Sequence, residues 1–480
     1  MTKNPDQIVC VDPATRAPLG SVRVDSPADV DAAVARAKAA QKSWARTSFA
    51  ERRRVLGALL AWTVEHKEDI CAEVQRGSGK TRENALLGEI WPVCEKLRWT
   101  IGNGEKHLRP EKVSSGLLAH KTARLEYHPL GVVAAIIPWN SPLFLATWKM
   151  APALAAGNTM VIKPSEYTSA SLLEFMKLVE QAGIPPGVVN VVTGFGSEAG
   201  LPLVEHPLVA KVAFTGSDLT GQKVYEAAAR NLKRVSMELG GKSPNIVFDD
   251  AEMDNAVKGV VSGIFAATGQ TCVAGSRLLV QQSIHDRFVE KLLALAKTAK
   301  MGNPMDFGTQ VGPITNKPQL EKVLNYIDIA KSEGASPLIG GKRPSSPECG
   351  DGWFVEPTIF GGVKNSMRIA QEEVFGPVLS IIPFRDEEEA VAIGNDIVYG
   401  LAAGVWTQNM RRALTMADRL RAGTVWINTY RAVSYLSPFG GYKRSGIGRE
   451  NGQEMLKEYL QVKSVWISTA SEVPNPFVQR

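Results

Sequence analysis

Apolar residues recur along the chain in two alternating patterns: short runs that are apolar on both faces, and longer stretches with helical spacing. Ser26-Pro27-Ala28-Asp29 opens the first helical stretch. Ser26 can cap it, Pro27 suits its first turn, and Asp29 faces the free amides. An Ala-rich segment carries it to Trp44, and a second amphipathic helix covers about 50–66. Four runs follow, at 131–138, 158–164, 187–194 and 209–216, each reading as a central parallel strand. Helices fit between them at Ser169–Gln181 and at 198–205. This succession of βα units predicts an α/β fold with an open, doubly wound sheet.

A second α/β region begins after Gly240-Gly241, with a strand at 244–248, a helix from Met253 and further βα units to about Gly446. The segment 111–128 alternates like a β-hairpin and interrupts the first region. Residues 459–466 also read as a strand. Both are candidate edge strands, able to pair with another element or another subunit.

At 480 residues, 44% hydrophobic and 22% charged, the chain has an ordinary globular composition and enough length for two or three domains. The net charge of +6 is dispersed. Its densest cluster, Arg52-Arg53-Arg54, falls within the second helix and reads as a solvated face, so no nucleic-acid partner is expected. A mildly positive surface can help to draw in an anionic cofactor. The opening Met1-Thr2-Lys3-Asn4-Pro5-Asp6 is polar and no apolar core segment follows it. The longest strongly apolar stretch, Val132 to Pro138, is too short to cross a bilayer. The expectation is a cytoplasmic protein without a membrane partner. Five scattered cysteines without a C-x-x-C pair fit a reducing compartment, and six histidines without metal spacing predict no metal site.

Candidate chemistry rests on three polar residues in glycine- or proline-marked settings. Cys272 lies in Thr268-Gly269-Gln270-Thr271-Cys272-Val273-Ala274-Gly275, where nearby glycines allow tight turns and open approach to the thiol. The alternative is a small buried core cysteine, the reading given to Cys10, Cys71, Cys94 and Cys349. Glu238, between Met237 and Leu239-Gly240-Gly241, is either a general base with a raised pKa or a structural acid paired with a lysine. Asn140, directly after a buried strand, can stabilise an oxyanion or merely cap a turn. Gly194-Phe195-Gly196-Ser197-Glu198-Ala199-Gly200 misses the strict dinucleotide spacing by one residue. Phe214-Thr215-Gly216-Ser217 sits at a strand end that opens a helix, where free amides can hold a pyrophosphate or form an ordinary βα turn.

Taken together, the segments resemble the aldehyde dehydrogenase family over nearly the whole chain. The matching motifs are Pro138-Trp139-Asn140, Lys163-Pro164-Ser165-Glu166, Phe214-Thr215-Gly216-Ser217, Glu238-Leu239-Gly240-Gly241-Lys242 and Gly269-Gln270-Thr271-Cys272. Glu372-Glu373-Val374-Phe375-Gly376-Pro377 and Pro438-Phe439-Gly440-Gly441-Tyr442-Lys443-Arg444-Ser445-Gly446 complete the series in order. The resemblance implies a Rossmann-like dinucleotide-binding domain at 1–110 and 129–240, and a second α/β catalytic domain at 241–446. A small β oligomerisation element at 111–128 and 447–480 implies a homodimer or homotetramer.

The resemblance also assigns roles. Cys272 would attack an aldehyde, Asn140 would hold the oxyanion, and Glu238 would activate the water that hydrolyses the thioester. Lys149 and Glu450 match a proton relay, with a structural ion pair as the alternative. Lys163 and Glu166 match residues that hydrogen-bond the adenine ribose of a bound NAD, Ser217 matches a pyrophosphate contact with Trp139 packing near it, and Ser165, Gly216 and Gly240 match further cofactor-binding positions. Glu373 and Phe375 match the nicotinamide ribose contacts. The Glu166 carboxylate would repel a 2′-phosphate, favouring NAD while leaving NADP open. Trp148, Val273, Arg431, Tyr435 and Phe439 match the aldehyde tunnel. Its aromatic walls suit aromatic or aliphatic aldehydes, while Arg431 either binds a substrate carboxylate or points to solvent or another subunit. The alternatives are a coenzyme A-acylating dehydrogenase, opposed by Glu238, and a non-catalytic role, opposed by Cys272, Glu238 and Asn140 together.

Overall fold

Runs apolar on both faces become strands covered on both faces. In the computed structural model Val132, Val133, Ala134 and Ala135 are fully buried, as are Met160, Val161 and Ile162. The structure describes residues 6–118, 120–472, 475 and 477; the polar opening at 1–5 and the last residues of the expected C-terminal element lie outside them. Strands β1 (Gln7–Val11) and β2 (Pro18–Arg23) pair antiparallel ahead of the first helix. That helix, Pro27–Trp44, starts as its sequence dictates: the Ser26 hydroxyl accepts from the Asp29 amide, and the Asp29 carboxylate accepts from the Ser26 amide at 2.9 Å.

Strands β3 (Glu111–Val113) and β4 (Lys121–Pro129) form the antiparallel pair anticipated at 111–128. The first large sheet is built from β5 (Val132–Ile136), β6 (Thr159–Lys163), β7 (Val189–Val191), β8 (Val209–Thr215) and β9 (Arg234–Glu238). The second takes β10 (Pro244–Val247), β11 (Arg277–Gln281), β12 (Ser336–Ile339), β13 (Thr358–Gly361), β14 (Val378–Phe384), β15 (Ala402–Trp406) and β16 (Thr424–Ile427). After it the chain returns: β17 (Gly446–Ile447) joins the first sheet antiparallel to β9, and β18 (Leu460–Ser468) pairs antiparallel with β4.

The strand orders are β17-β9-β8-β5-β6-β7, β12-β13-β14-β11-β10-β15-β16 and β18-β4-β3. Within the first sheet the chain steps outward from β5 through β6 to β7, then returns to the other side of β5 for β8 and β9. Such a reversal leaves a crevice at the carboxyl ends of the two strands flanking it, here β5 and β8. Residues 239–243 carry the chain from the carboxyl end of β9 to the start of β10, so the first sheet's carboxyl edge faces the second sheet's amino edge. Among the described residues no helix is long and apolar enough to cross a membrane.

Candidate active site

The crevice is filled by the segments that leave β5 and β8. After β5 come Pro138, Trp139 and Asn140; the Asn140 Nδ2 donates to the Gln270 carbonyl at 3.0 Å. A primary amide has two N–H donors, so one remains free to point elsewhere. The turn is held from beneath by Lys80, whose Nζ engages the Asn140 carbonyl, donates to Ser141 Oγ at 3.1 Å and pairs with the buried Glu89 carboxylate. Glu89 also accepts from the Phe144 amide at 2.8 Å. Burial pushes the Lys80 ammonium down and the Glu89 carboxyl up. Neither residue stood out in the sequence: Gly79-Lys80-Thr81 ends like a phosphate loop, but Val74 occupies the position of the first glycine that such a loop needs.

Cys272 is carried by a loop that leaves the helix Met253–Phe265 through three successive left-handed residues, Ala267 (φ 51°), Thr268 (φ 56°) and Gly269 (φ 70°). A Cβ at Gly269 would run into the Gly376 carbonyl, so only glycine lets the two segments meet. Gln270 ties the same loop down, its Oε1 accepting from the Thr315 amide at 3.0 Å. The thiol faces a cavity of about 590 Å³ that Asn140, Glu238, Trp148, Arg431 and Phe439 also line. Burial first, then Glu373 and Glu238, push its pKa up to about 12, while the Cys272 and Val273 amides pull the other way. None of the other four cysteines lines this cavity.

Glu238 ends β9, opposite Gly446 of β17. Its Oε2 has no hydrogen-bond partner, and burial, followed by the charge of Glu450, holds the carboxyl well above the usual carboxylate range. Behind it lies the pair Lys149–Glu450 at 3.1 Å, with both side chains buried. Neither lines the cavity; each reaches Glu238 through its charge. Glu450 and Phe439 exchange both backbone hydrogen bonds, at 2.6 and 2.7 Å, which locks the aromatic wall to this ion pair.

The same cavity continues past Gly216, Ser217, Gly240, Glu373 and Phe375. Ser217 caps the helix Asp218–Ala229, and Glu373 Oε1 accepts from the Gly241 amide at 2.9 Å. Burial pushes the Glu373 carboxyl up to about 7. A Cβ at Gly240 would lie 2.5 Å from Glu373 Oε2, so the glycine makes room for the carboxylate. Trp139 meets Phe375 edge to face, with ring centroids 5.3 Å apart. Gln319 and Lys322, on the helix Lys317–Ser332, also line this half and were not picked out from the sequence. Lys163 ends β6, next to β5, and Ser165 and Glu166 follow it, but none of the three is part of the cavity wall. Lys163 is buried and donates to the Pro164 carbonyl at 2.7 Å; Ser165 Oγ donates to Glu166 Oε2 at 3.3 Å. A glycine-lined crevice, a helix N-terminus and a partly buried carboxylate form a donor and acceptor set that fits a dinucleotide.

On the opposite side the walls are aromatic. Trp148 packs between Phe144 and Phe439, with centroid distances of 4.5 and 5.4 Å, and Tyr435 meets Phe144 edge on at 6.5 Å. Val273 lines the cavity, and its carbonyl accepts from the Tyr430 hydroxyl at 3.0 Å. Arg431, half-buried, completes this wall.

A half-buried thiol, a carboxyl with an unpartnered oxygen and an amide donor beside a dinucleotide-shaped crevice define a thiol-dependent dehydrogenase class of site. The Aldehyde dehydrogenase family model matches residues 1–465, and the chain belongs to that family. It is 44% identical over 465 residues to acetaldehyde dehydrogenase 2 of Cupriavidus necator, spanning 95% of this chain and 90% of that protein. The betaine aldehyde dehydrogenase of Staphylococcus aureus, solved with NAD+, superposes with a TM-score of 0.95 at 37% identity, covering 99% of this chain and 94% of that one. The NAD+ complex of an aldehyde dehydrogenase from Bacillus cereus gives 0.93 at 42% identity, covering 97% and 94%.

Proposed function

We propose that this enzyme oxidises an aldehyde to the carboxylic acid with NAD, using Cys272 as nucleophile and Glu238 as general base. The observation that carries the reading is the meeting of Cys272, Asn140 and Glu238 on one cavity that runs on to Gly216, Ser217 and Glu373. The Cys272 thiol releases its proton to water in the cavity, and its sulfur bonds to the aldehyde carbon, leaving negative charge on the oxygen. The free N–H of Asn140 and the Cys272 amide donate to that oxygen, stabilising charge that exists only along the reaction path. NAD, held along the crevice by residues such as Gly216, Ser217 and Glu373, would supply the acceptor for the hydride lost from the thiohemiacetal carbon, which thereby becomes a thioester carbon. Glu238, as carboxylate, then takes a proton from water; the hydroxide attacks the thioester carbon and the sulfur departs. The charges of Lys149 and Glu450 act on Glu238, which supports their reading as its proton relay. Asn140 is pre-aimed because its other N–H is anchored on Gln270.

Several further assignments belong to the same reading. The NAD+ complexes of the S. aureus and B. cereus relatives support this cofactor, and the Glu166 carboxylate favours it over NADP. Residues 1–110 with 129–240 form the cofactor domain, and 241–446 the catalytic one. The free cysteines fit a cytoplasmic enzyme, and the sheet β18-β4-β3 fits assembly into a homodimer or homotetramer.

The test is stopped-flow NADH formation with benzaldehyde. Cys272→Ala is expected to form no NADH at all. Glu238→Gln keeps a first-turnover burst but slows steady turnover by about 10²–10⁴-fold, the scale of losing a general base. Turnover by Cys272→Ala overturns the nucleophile; normal steady turnover by Glu238→Gln moves the base elsewhere.

A further inference from the structure

The charges on the substrate side of the cavity do not cancel. Lys80 is neutralised by its ion pair with Glu89. Burial holds Glu238, Cys272 and Tyr435 toward their protonated, uncharged forms. That leaves Arg431. Its guanidinium has one hydrogen bond, from Nη1 to the Ser262 carbonyl at 3.3 Å, and forms no ion pair among the described residues. A guanidinium carries five N–H donors in a planar fork, so most of this one is unpartnered beside aromatic walls. A half-buried cation that lines a cavity and has no counter-charge leaves its remaining donors free for an anionic ligand.

The loop holds Arg431 there at a backbone cost. Asn428 (φ 53°) and Arg431 (φ 61°), both following β16, adopt the left-handed region that side chains rarely occupy. Between them Tyr430 packs its ring 4.8 Å from Trp426 and donates its hydroxyl to the carbonyl of Val273, the residue after Cys272. The arginine is therefore fixed to the segment that carries the thiol, and its charge reaches the sulfur.

We propose that the aldehyde itself carries a carboxylate, bound by Arg431 while its aldehyde carbon meets Cys272: a semialdehyde or oxo-acid whose apolar body lies against Trp148, Phe144 and Phe439. The proposal rests on the reading that the aldehyde reacts at Cys272 in this cavity. Carboxylate and guanidinium match in charge and fork geometry, and the low-dielectric walls strengthen the pair.

The experiment compares kcat/KM for two matched pairs, succinate semialdehyde with butanal and 4-carboxybenzaldehyde with benzaldehyde, in wild type, R431A and R431K. Wild type is expected to favour the acid of at least one pair. R431A lowers kcat/KM for that acid by about 10–100-fold more than for its neutral partner, the scale of a hydrogen-bonded charge. R431K, keeping the charge without the fork, falls in between. Equal losses for acid and neutral aldehydes overturn the proposal, since they assign Arg431 to the thiol instead. Wild type that oxidises benzaldehyde and butanal but favours neither acid also overturns it, with the reaction at Cys272 intact. Absence of NADH from all four aldehydes overturns the underlying reaction as well.

Discussion

Glu238 is kept out of water by the strand pairing that positions it, and the two effects of that burial oppose each other. A carboxyl held well above its ordinary 4.5 is protonated in the folded chain over a range where the unfolded chain has already released its proton. Below the ordinary carboxylate range both states hold the proton and nothing is lost. As pH rises from there toward the folded pKa, the unfolded state gains by ionising and folding stability falls. Glu238→Gln removes that loss while keeping the shape. Its melting temperature is expected to match wild type near pH 5 and to exceed it by about 2–4 °C near pH 8.5, roughly 1 kcal/mol for a domain of this size. A gap that stays constant across this range would show that Glu238 is not buried in its neutral form. The same raised pKa gives steady turnover an acid limb above the usual carboxylate range. Lys149→Met removes a charge that lowers the Glu238 pKa, so that limb moves to higher pH.

Between elements, the cross-link that matters most for the site is Lys80–Glu89. Glu89 lies in Leu86–Ile90, a π-helical turn set between the helices Arg82–Ala85 and Trp91–Leu108. Through Lys80 that turn grips the Asn140 carbonyl and Ser141, where the helix Pro142–Ala155 begins. Glu89→Ala leaves a buried ammonium without its counter-charge and is expected to cost about 3–5 kcal/mol in urea unfolding. Lys80→Met combined with Glu89→Leu recovers most of that stability but not kcat, because the Asn140 carbonyl still lacks its anchor. Full recovery of both would make the pair purely structural. No local pattern in the sequence announces this contact, since it needs a π turn and a partner sixty positions along the chain. The central strands were legible because burial on both faces forces long apolar runs, as in β5 and β6. Residues 187–194 shrank to Val189–Val191 because β7 is an edge strand, with a neighbour on one side only. Cys272, Glu238 and Asn140 were legible through motif order and not through their surroundings. Local glycines did not separate Cys272 from four other cysteines, whereas the fold does, by bringing it alone of the five to the cavity.

For the whole molecule, the unbalanced feature is the small sheet β18-β4-β3. β18 is nine residues long, lies at the edge, and leaves Val462 58%, Trp466 50% and Ile467 46% exposed. A long edge strand with unpaired backbone groups and apolar side chains on its surface templates further pairing unless something covers it. The first and second sheets protect their edges differently, with the two-residue β17 and the four-residue β12, both antiparallel to their neighbours. β18, though also antiparallel to its neighbour, is not short, so a second copy of this chain is the cover expected under the proposed assembly. Trp466→Glu combined with Ile467→Glu places two charges on that strand, and desolvating them opposes subunit contact. None of the cavity-lining residues lies in β3, β4 or β18, so the cavity itself is not altered by the change. Light scattering after size exclusion is expected to give a dimer or tetramer mass for wild type and the monomer mass for the double variant, with unchanged far-ultraviolet circular dichroism. A monomeric wild type, or a double variant of undiminished mass, would place the subunit contact elsewhere or remove it.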